Sequence, residues 1–155
     1  MEDFTGAYLA RKNDIFALPR NQNHAVAIFH LGGIAIECRL KAMLLKYHRI
    51  TKLGFKVSDS EKSKRIGDAM YDNPILNPGH NLLKAIEDMP VLNAAALSDS
   101  YFFGHLENIR RPLGLSNPDY INLRYIPDTQ QAISAWQDSF NYINQWLQQN
   151  NRIIL

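Results

Sequence analysis

One cysteine in 155 residues leaves no partner for an intrachain disulfide. A lone thiol, Cys38, fits a reducing compartment better than export, and the expected location is the cytoplasm. Also missing is any run of about eighteen apolar residues free of charge, the length a helix needs to cross a bilayer. No membrane role is expected. The opening residues, MEDFTGAYLARKND, carry acids early and lack an unbroken apolar stretch, so they read neither as a secretory signal nor as a transit peptide. Strand-like alternation bounded by hairpin turns is absent, as are Gly-rich phosphate cradles, dinucleotide fingerprints and nucleophile signatures. Five histidines without metal spacing and one cysteine do not make a zinc site. Neither a metal nor a cofactor is expected.

What the chain does have is apolar residues at helical spacing. Hydrophobic residues make up 46% of the sequence, which excludes wholesale disorder and suits one domain over residues 1–155. In His24 to Tyr47, Val26, Phe29, Gly33, Ile36, Leu40, Met43 and Tyr47 recur in alternating steps of three and four, laying one seam along a helix. At about 100° per residue, Ala27, Leu31, Ile34 and Cys38 form a second apolar flank. Only a strip around Gly32, Arg39 and Lys46 is left for solvent, and Glu37 and His30 lie across the helix from it. An ionised carboxylate between two packed faces needs a partner or a groove to look into.

The segmentation predicts an all-α antiparallel bundle of five main helices, with room for one extra short one. The first spans Glu2 to Leu18 and stops at Pro19. The second starts at Asn21, an N-cap residue, and runs to about His48. A long connection from Arg49 to Asn77 contains Ser58-Asp59-Ser60-Glu61, whose capping-box spacing suits a short helix towards Tyr71. Asn77-Pro78 opens a third helix through Asp88, and a fourth occupies Pro90 to Arg110 before Pro112. An ordered loop follows to Asp128, because Pro118 and Pro127 bias their preceding residues away from helix. The last helix opens with Asp128 and Gln131 at capping-box spacing. Its seam, Ile133, Trp136, Phe140, Ile143 and Leu147, should pack against that of the second helix.

Charge is unevenly spread. The net charge is +2, yet Arg39 to Arg65 holds nine Lys or Arg against Asp59 and Glu61 alone. The stretch serves either as cations at a helix C-terminus and a solvated loop, or as an attraction for phosphate or an acidic partner. By itself this asymmetry does not name a nucleic-acid binder.

The block HLGGIAIECRLKAMLLKY resembles the second helix of HEPN domains through Ala35, Glu37, Leu40, Lys41, Ala42 and, with Met43 intervening, Leu44. In the expected order, Gly79-His80-Asn81-Leu82 resembles the His-Asp-Leu opening of the next helix. Leu123-Arg124-Tyr125-Ile126-Pro127 is similar to an Arg-Tyr-Pro stretch before the last helix. The resemblance implies an all-α bundle, often dimeric, found in bacterial toxin–antitoxin and defence systems and often partnered with a nucleotidyltransferase. Several branches are metal-independent ribonucleases that use an Arg followed four to six residues later by a His, one for the phosphate and one for proton transfer. Here no His follows Arg124, and Arg20-Asn21-Gln22-Asn23-His24 is one residue short.

The expected function is accordingly that of a binding or partner module, with a groove near Glu37, Lys41, His80 and Arg124 that takes a nucleotide or an RNA phosphate. The alternatives are a ribonuclease toxin with a rearranged site built on Arg124 and either His80 or His30, and a purely structural partner of a nucleotidyltransferase. Glu37 is either a groove carboxylate or half of an internal salt bridge, with Lys41 its i,i+4 cation. Arg124 is expected to pair with Glu37 or to reach the groove beside it. His80 either caps backbone groups, contacts a ligand or packs on the second helix; His30 is either a proton carrier or a core histidine. Gly32-Gly33 within a helix costs roughly 1 kcal/mol per residue relative to Ala, so something should approach closely there. A neighbouring helix or a twofold partner would do, and a homodimer through the second helix or the loop beyond it is expected.

Overall fold

Asp3 starts the first helix by accepting a hydrogen bond from the Gly6 amide at 2.8 Å, which satisfies one of the donors that a helix start leaves open. This helix, α1, runs Phe4–Ala17 and buries Tyr8 and Ile15, two turns apart on one face, against the helix that follows. The computed structural model describes residues 3–18, 24–50, 77–127 and 131–154, and all its regular elements are helical. The expected N-cap Asn21 and the short helix at Ser58 to Tyr71 lie outside the described residues.

Helix α2, Ala25–Tyr47, is the axis of the molecule. It touches α1, the helices that follow and the turn at Tyr120. Its seam is buried from Val26 to Met43 as the spacing predicts, with Tyr47 partly buried, and most other positions on it are buried or partly buried too. The strip expected to face water does not. Gly32 lies under the Trp136 ring, Arg39 is half-buried, and only Lys46 is exposed. A helix wrapped on all sides needs close approach somewhere, and the glycine pair supplies it. A Cβ on Gly32 would come within 2.2 Å of the Trp136 ring, and one on Gly33 within 2.2 Å of the Tyr120 ring. Both glycines are therefore occupied by aromatic rings of the same chain, and neither is open to a twofold partner.

The later helices are shorter than predicted. Asn77-Pro78 does not open a helix; the Asn77 side chain accepts from the Gly79 amide at 2.9 Å, in a turn where Gly79 takes φ 63°. Asn81 is the N-cap instead, accepting from the Lys84 amide at 3.0 Å, and α3 is only Leu82–Glu87. The single helix predicted over Pro90 to Arg110 is two, α4 (Pro90–Ser98) and α5 (Phe102–Arg110). Asp99 breaks it, because its carboxylate bonds the Tyr101 amide at 2.9 Å and competes with helical pairing. A 3-10 helix, Tyr120–Tyr125, occupies the proline-rich loop with Asp119 as its cap.

The last long helix, α6, is Ser134–Asn150, beginning after the predicted capping box; Gln131 precedes it and Asp128 lies outside the described residues. Trp136, Phe140, Ile143 and Leu147 are buried as predicted, but α6 lies mainly along α5. It meets α2 through aromatic rings, with Phe29 and Trp136 centred 5.3 Å apart, and through Asn144, whose carbonyl accepts from Arg39 at 2.9 Å. Along α5, buried Ser139 bonds both His105 Nδ1 and Asn108 Nδ2 at 2.9 Å. Among the described residues, no helix is long and apolar enough to cross a membrane.

Candidate functional site

The middle of α2 holds the one buried acid among the described residues. Glu37 is 7% exposed and Lys41, one turn on, is 6% exposed, with Nζ 2.6 Å from Glu37 Oε1. Such a pair is expected from an i,i+4 spacing, but burial changes its weight: each charge would be costly without the other. The other carboxylate oxygen, Oε2, accepts from the Tyr120 hydroxyl at 2.6 Å and from His80 Nδ1 at 2.8 Å. Burial alone would raise the pKa of Glu37, yet the hydrogen bonds from Lys41, Tyr120 and His80 more than offset it and leave the carboxyl below its ordinary value. It is a carboxylate at neutral pH.

An ionised Glu37 fixes the protons around it. His80 Nδ1 must carry the hydrogen that it donates, so Nε2 of a neutral ring is an acceptor. The imidazole side chain is 54% exposed, so it has the buried acid behind it and solvent in front. Tyr120 is held as a phenol: burial and the adjacent Glu37 charge both push its pKa far above the ordinary value. Its oxygen also lies 3.0 Å from the His80 carbonyl oxygen, so one hydroxyl touches both the acid and the backbone of the histidine.

Three positions on α2 put Tyr120 there. His30 Nδ1 lies 2.7 Å from the Tyr120 carbonyl, Gly33 makes room for the ring, and Glu37 receives the hydroxyl. They stand at i, i+3 and i+7, one stripe of the helix. The tyrosine lies across that stripe. This assigns His30 to a backbone contact with the 3-10 turn.

Of the four residues expected at the site, Glu37, Lys41 and His80 come together and Arg124 does not. Arg124 is exposed and its guanidinium sits 4.7 Å from the ring centre of Tyr125. Tyr120, Ile121 and Leu123 are the buried residues of the 3-10 helix, and Arg124, near its end, stays outside.

The cations beside His80 come from the end of α5 instead. Pro78, His80, Asn81, Arg110, Arg111, Asp119 and Tyr120 line a groove of about 270 Å³. Arg110 pairs with Glu107 at 2.6 Å. Arg111 donates to the Leu115 carbonyl at 2.6 Å and lies 3.8 Å from Glu107. Glu107 thus faces both guanidiniums, and the groove, which Asp119 also lines, retains donors that suit an oxyanion. In the sequence Arg110 marked only the end of the predicted fourth helix, and Arg111 carried no signal. Tyr120 had no signal of its own; the glycine pair called only for a close approach, by a neighbouring helix or a twofold partner. Among the described residues, no group of His, Cys, Asp and Glu could hold a metal ion.

Comparison of the chain with family models, with curated proteins and with solved structures gave no match.

Proposed function

We propose that this chain is a HEPN-like helical binding module of a toxin–antitoxin or defence system, and that it takes an RNA phosphate or a nucleotide in the groove at His80. The observation that carries this reading is the meeting of His80, Asn81, Arg110 and Arg111 around one groove of about 270 Å³. Guanidiniums in pairs clamp phosphate oxygens, and an imidazole held from behind adds a directed nitrogen. The sequence resemblance supplies the class of ligand and partner, including the homodimer and the nucleotidyltransferase. Buried as they are, Gly32 and Gly33 contribute no dimer surface.

Fluorescence anisotropy with a short labelled single-stranded RNA tests the reading. Binding should weaken steeply with salt, as phosphate contacts require. The double variant Arg110→Ala, Arg111→Ala should lose about tenfold or more in affinity, a change of roughly 1.4 kcal/mol, and Arg124→Ala should bind nearly as the parent does. Affinity unchanged in the double variant rejects the groove as the ligand site.

One observation favours the enzyme reading as a second. Glu37 orients His80 through Nδ1 and leaves Nε2 for the groove, the arrangement in which a carboxylate positions an imidazole for proton transfer. A metal-independent ribonuclease would use that nitrogen on a ribose 2′-OH, with Arg110 or Arg111 at the phosphate. RNA cleavage in chelator that disappears in His80→Ala and persists in Arg124→Ala supports it; binding without cleavage supports the module alone.

A further inference from the structure

Arg39 stands two residues beyond Glu37, on the opposite side of α2, and its charge is answered differently. Its Nη1 donates to the Asn144 carbonyl at 2.9 Å, to the Asn144 side-chain oxygen, and to the Tyr8 oxygen at 3.2 Å. The Tyr8 hydroxyl in turn donates to Asn144 Oδ1 at 2.8 Å. Every one of these partners is neutral. Among the described residues, no carboxylate lies within ion-pairing distance of Arg39. Burial without a counter-charge pushes the guanidinium below its ordinary pKa.

A cavity of about 250 Å³ opens on this residue, lined by Thr5, Tyr8, Arg39, Ala42, Met43, Lys46 and Asn151. Arg39 and Lys46 are i and i+7 on α2, so both cations project from one face with Ala42 and Met43 between them. The cavity therefore has two positive charges, an apolar wall from Tyr8, Ala42 and Met43, and no acid. Its size is slightly below that of pockets for drug-sized ligands, about 300 Å³ and upward. A partly buried cation lacking a counter-ion gains from an anion that enters. The apolar wall favours an anion with a hydrophobic body over a hydrated inorganic one.

We propose that this cavity binds a small organic acid, its carboxylate set against Arg39 with Lys46 at the rim, and its compact apolar body against Tyr8, Ala42 and Met43. This site is separate from the groove at His80. A single guanidinium that cross-links α1, α2 and α6 through Tyr8 and Asn144 would report the ligand to all three helices.

Titration of the 155-residue chain with benzoate, followed by amide chemical shifts, tests the proposal, with benzamide and inorganic phosphate as comparison probes. Benzoate should shift the amides of Tyr8, Arg39, Met43 and Lys46 saturably, and neutral benzamide should bind at least tenfold more weakly. Lys46→Ala, which alters an exposed side chain, should weaken benzoate severalfold, and Arg39→Gln should weaken it tenfold or more. Should Arg39→Gln fail to fold, Ala42→Leu, which fills the cavity and keeps both cations, should abolish the shifts. Equal binding of benzoate and benzamide, or benzoate binding undiminished in Lys46→Ala and Ala42→Leu, overturns the site. Phosphate binding there as tightly as benzoate overturns the assignment to an organic acid.

Discussion

Glu37 and Arg39 share a helix, are separated by one residue, and are both largely withdrawn from water, yet only the acid has a charged partner. Glu37 has Lys41 on one oxygen and Tyr120 with His80 on the other. Arg39 has amide and phenol oxygens and the face of the Tyr8 ring, none of them charged. The difference teaches what burial does to each. An acid with all its partners inside the chain is part of the scaffold, and it lends its orientation to the exposed imidazole. A cation left unbalanced keeps an electrostatic demand that something outside the chain can meet.

The comparison predicts unequal costs of removal. Glu37→Ala should be the most damaging change, because it strands Lys41 in the interior; breaking a buried pair in this way costs about 3–5 kcal/mol, read as a lower urea midpoint. Arg39→Gln should cost clearly less, about 1 kcal/mol, since the Tyr8–Asn144 bond survives without it. Equal losses for the two variants would break the contrast between them.

Gly33→Ala sharpens the comparison by acting on the acid's side alone. The new methyl would fall 2.2 Å from the Tyr120 ring and 2.6 Å from its Cβ, so the tyrosine must shift and its hydroxyl must leave Glu37. A loss of about 1–3 kcal/mol is expected, in the range of overpacked cores. Tyr120→Phe removes only the hydroxyl and should cost about 1.5–3 kcal/mol, as for hydrogen bonds to charged groups. Thermal melts of both variants check these values, and no effect in either would deny Tyr120 its place on the acid.

The gentlest probe is pH. A carboxyl whose pKa is lower folded than unfolded contributes stability that is complete above the unfolded value and is lost as pH falls through the folded one. Glu37 is such a group, so stability should decline as pH drops below the ordinary carboxylate range. In Glu37→Gln that part of the decline should vanish. Arg39 stays charged throughout this window and adds nothing to the slope, so Arg39→Gln should leave the profile unchanged.

Periodicity carried much of this arrangement. The seams of α2 and α6 were legible because steps of three and four put each residue on a known side of the helix, and the same phase marked Glu37 as enclosed. Lys41 followed from one turn of spacing. Boundaries were less legible wherever short polar side chains competed with the backbone, at Asn81 and at Asp99. The site was harder still, because it joins elements far apart in the chain. Tyr120 is brought to Glu37 by tertiary packing across 83 positions, and no local pattern encodes that. Arg124 was misplaced because its place on the expected ordered loop did not say which way it points; its guanidinium meets the ring of the next residue, Tyr125, and stays exposed.

The hydroxyl of Tyr120 works as a pin through two parts at once. Because it contacts both the carboxylate of α2 and the peptide oxygen of His80, neither the imidazole nor its segment can swing away while the ring stays seated over Gly33. A bare hydrogen at position 33 is thus what lets a histidine far along the chain keep its aim, and an added methyl there would be felt first as a loss of aim.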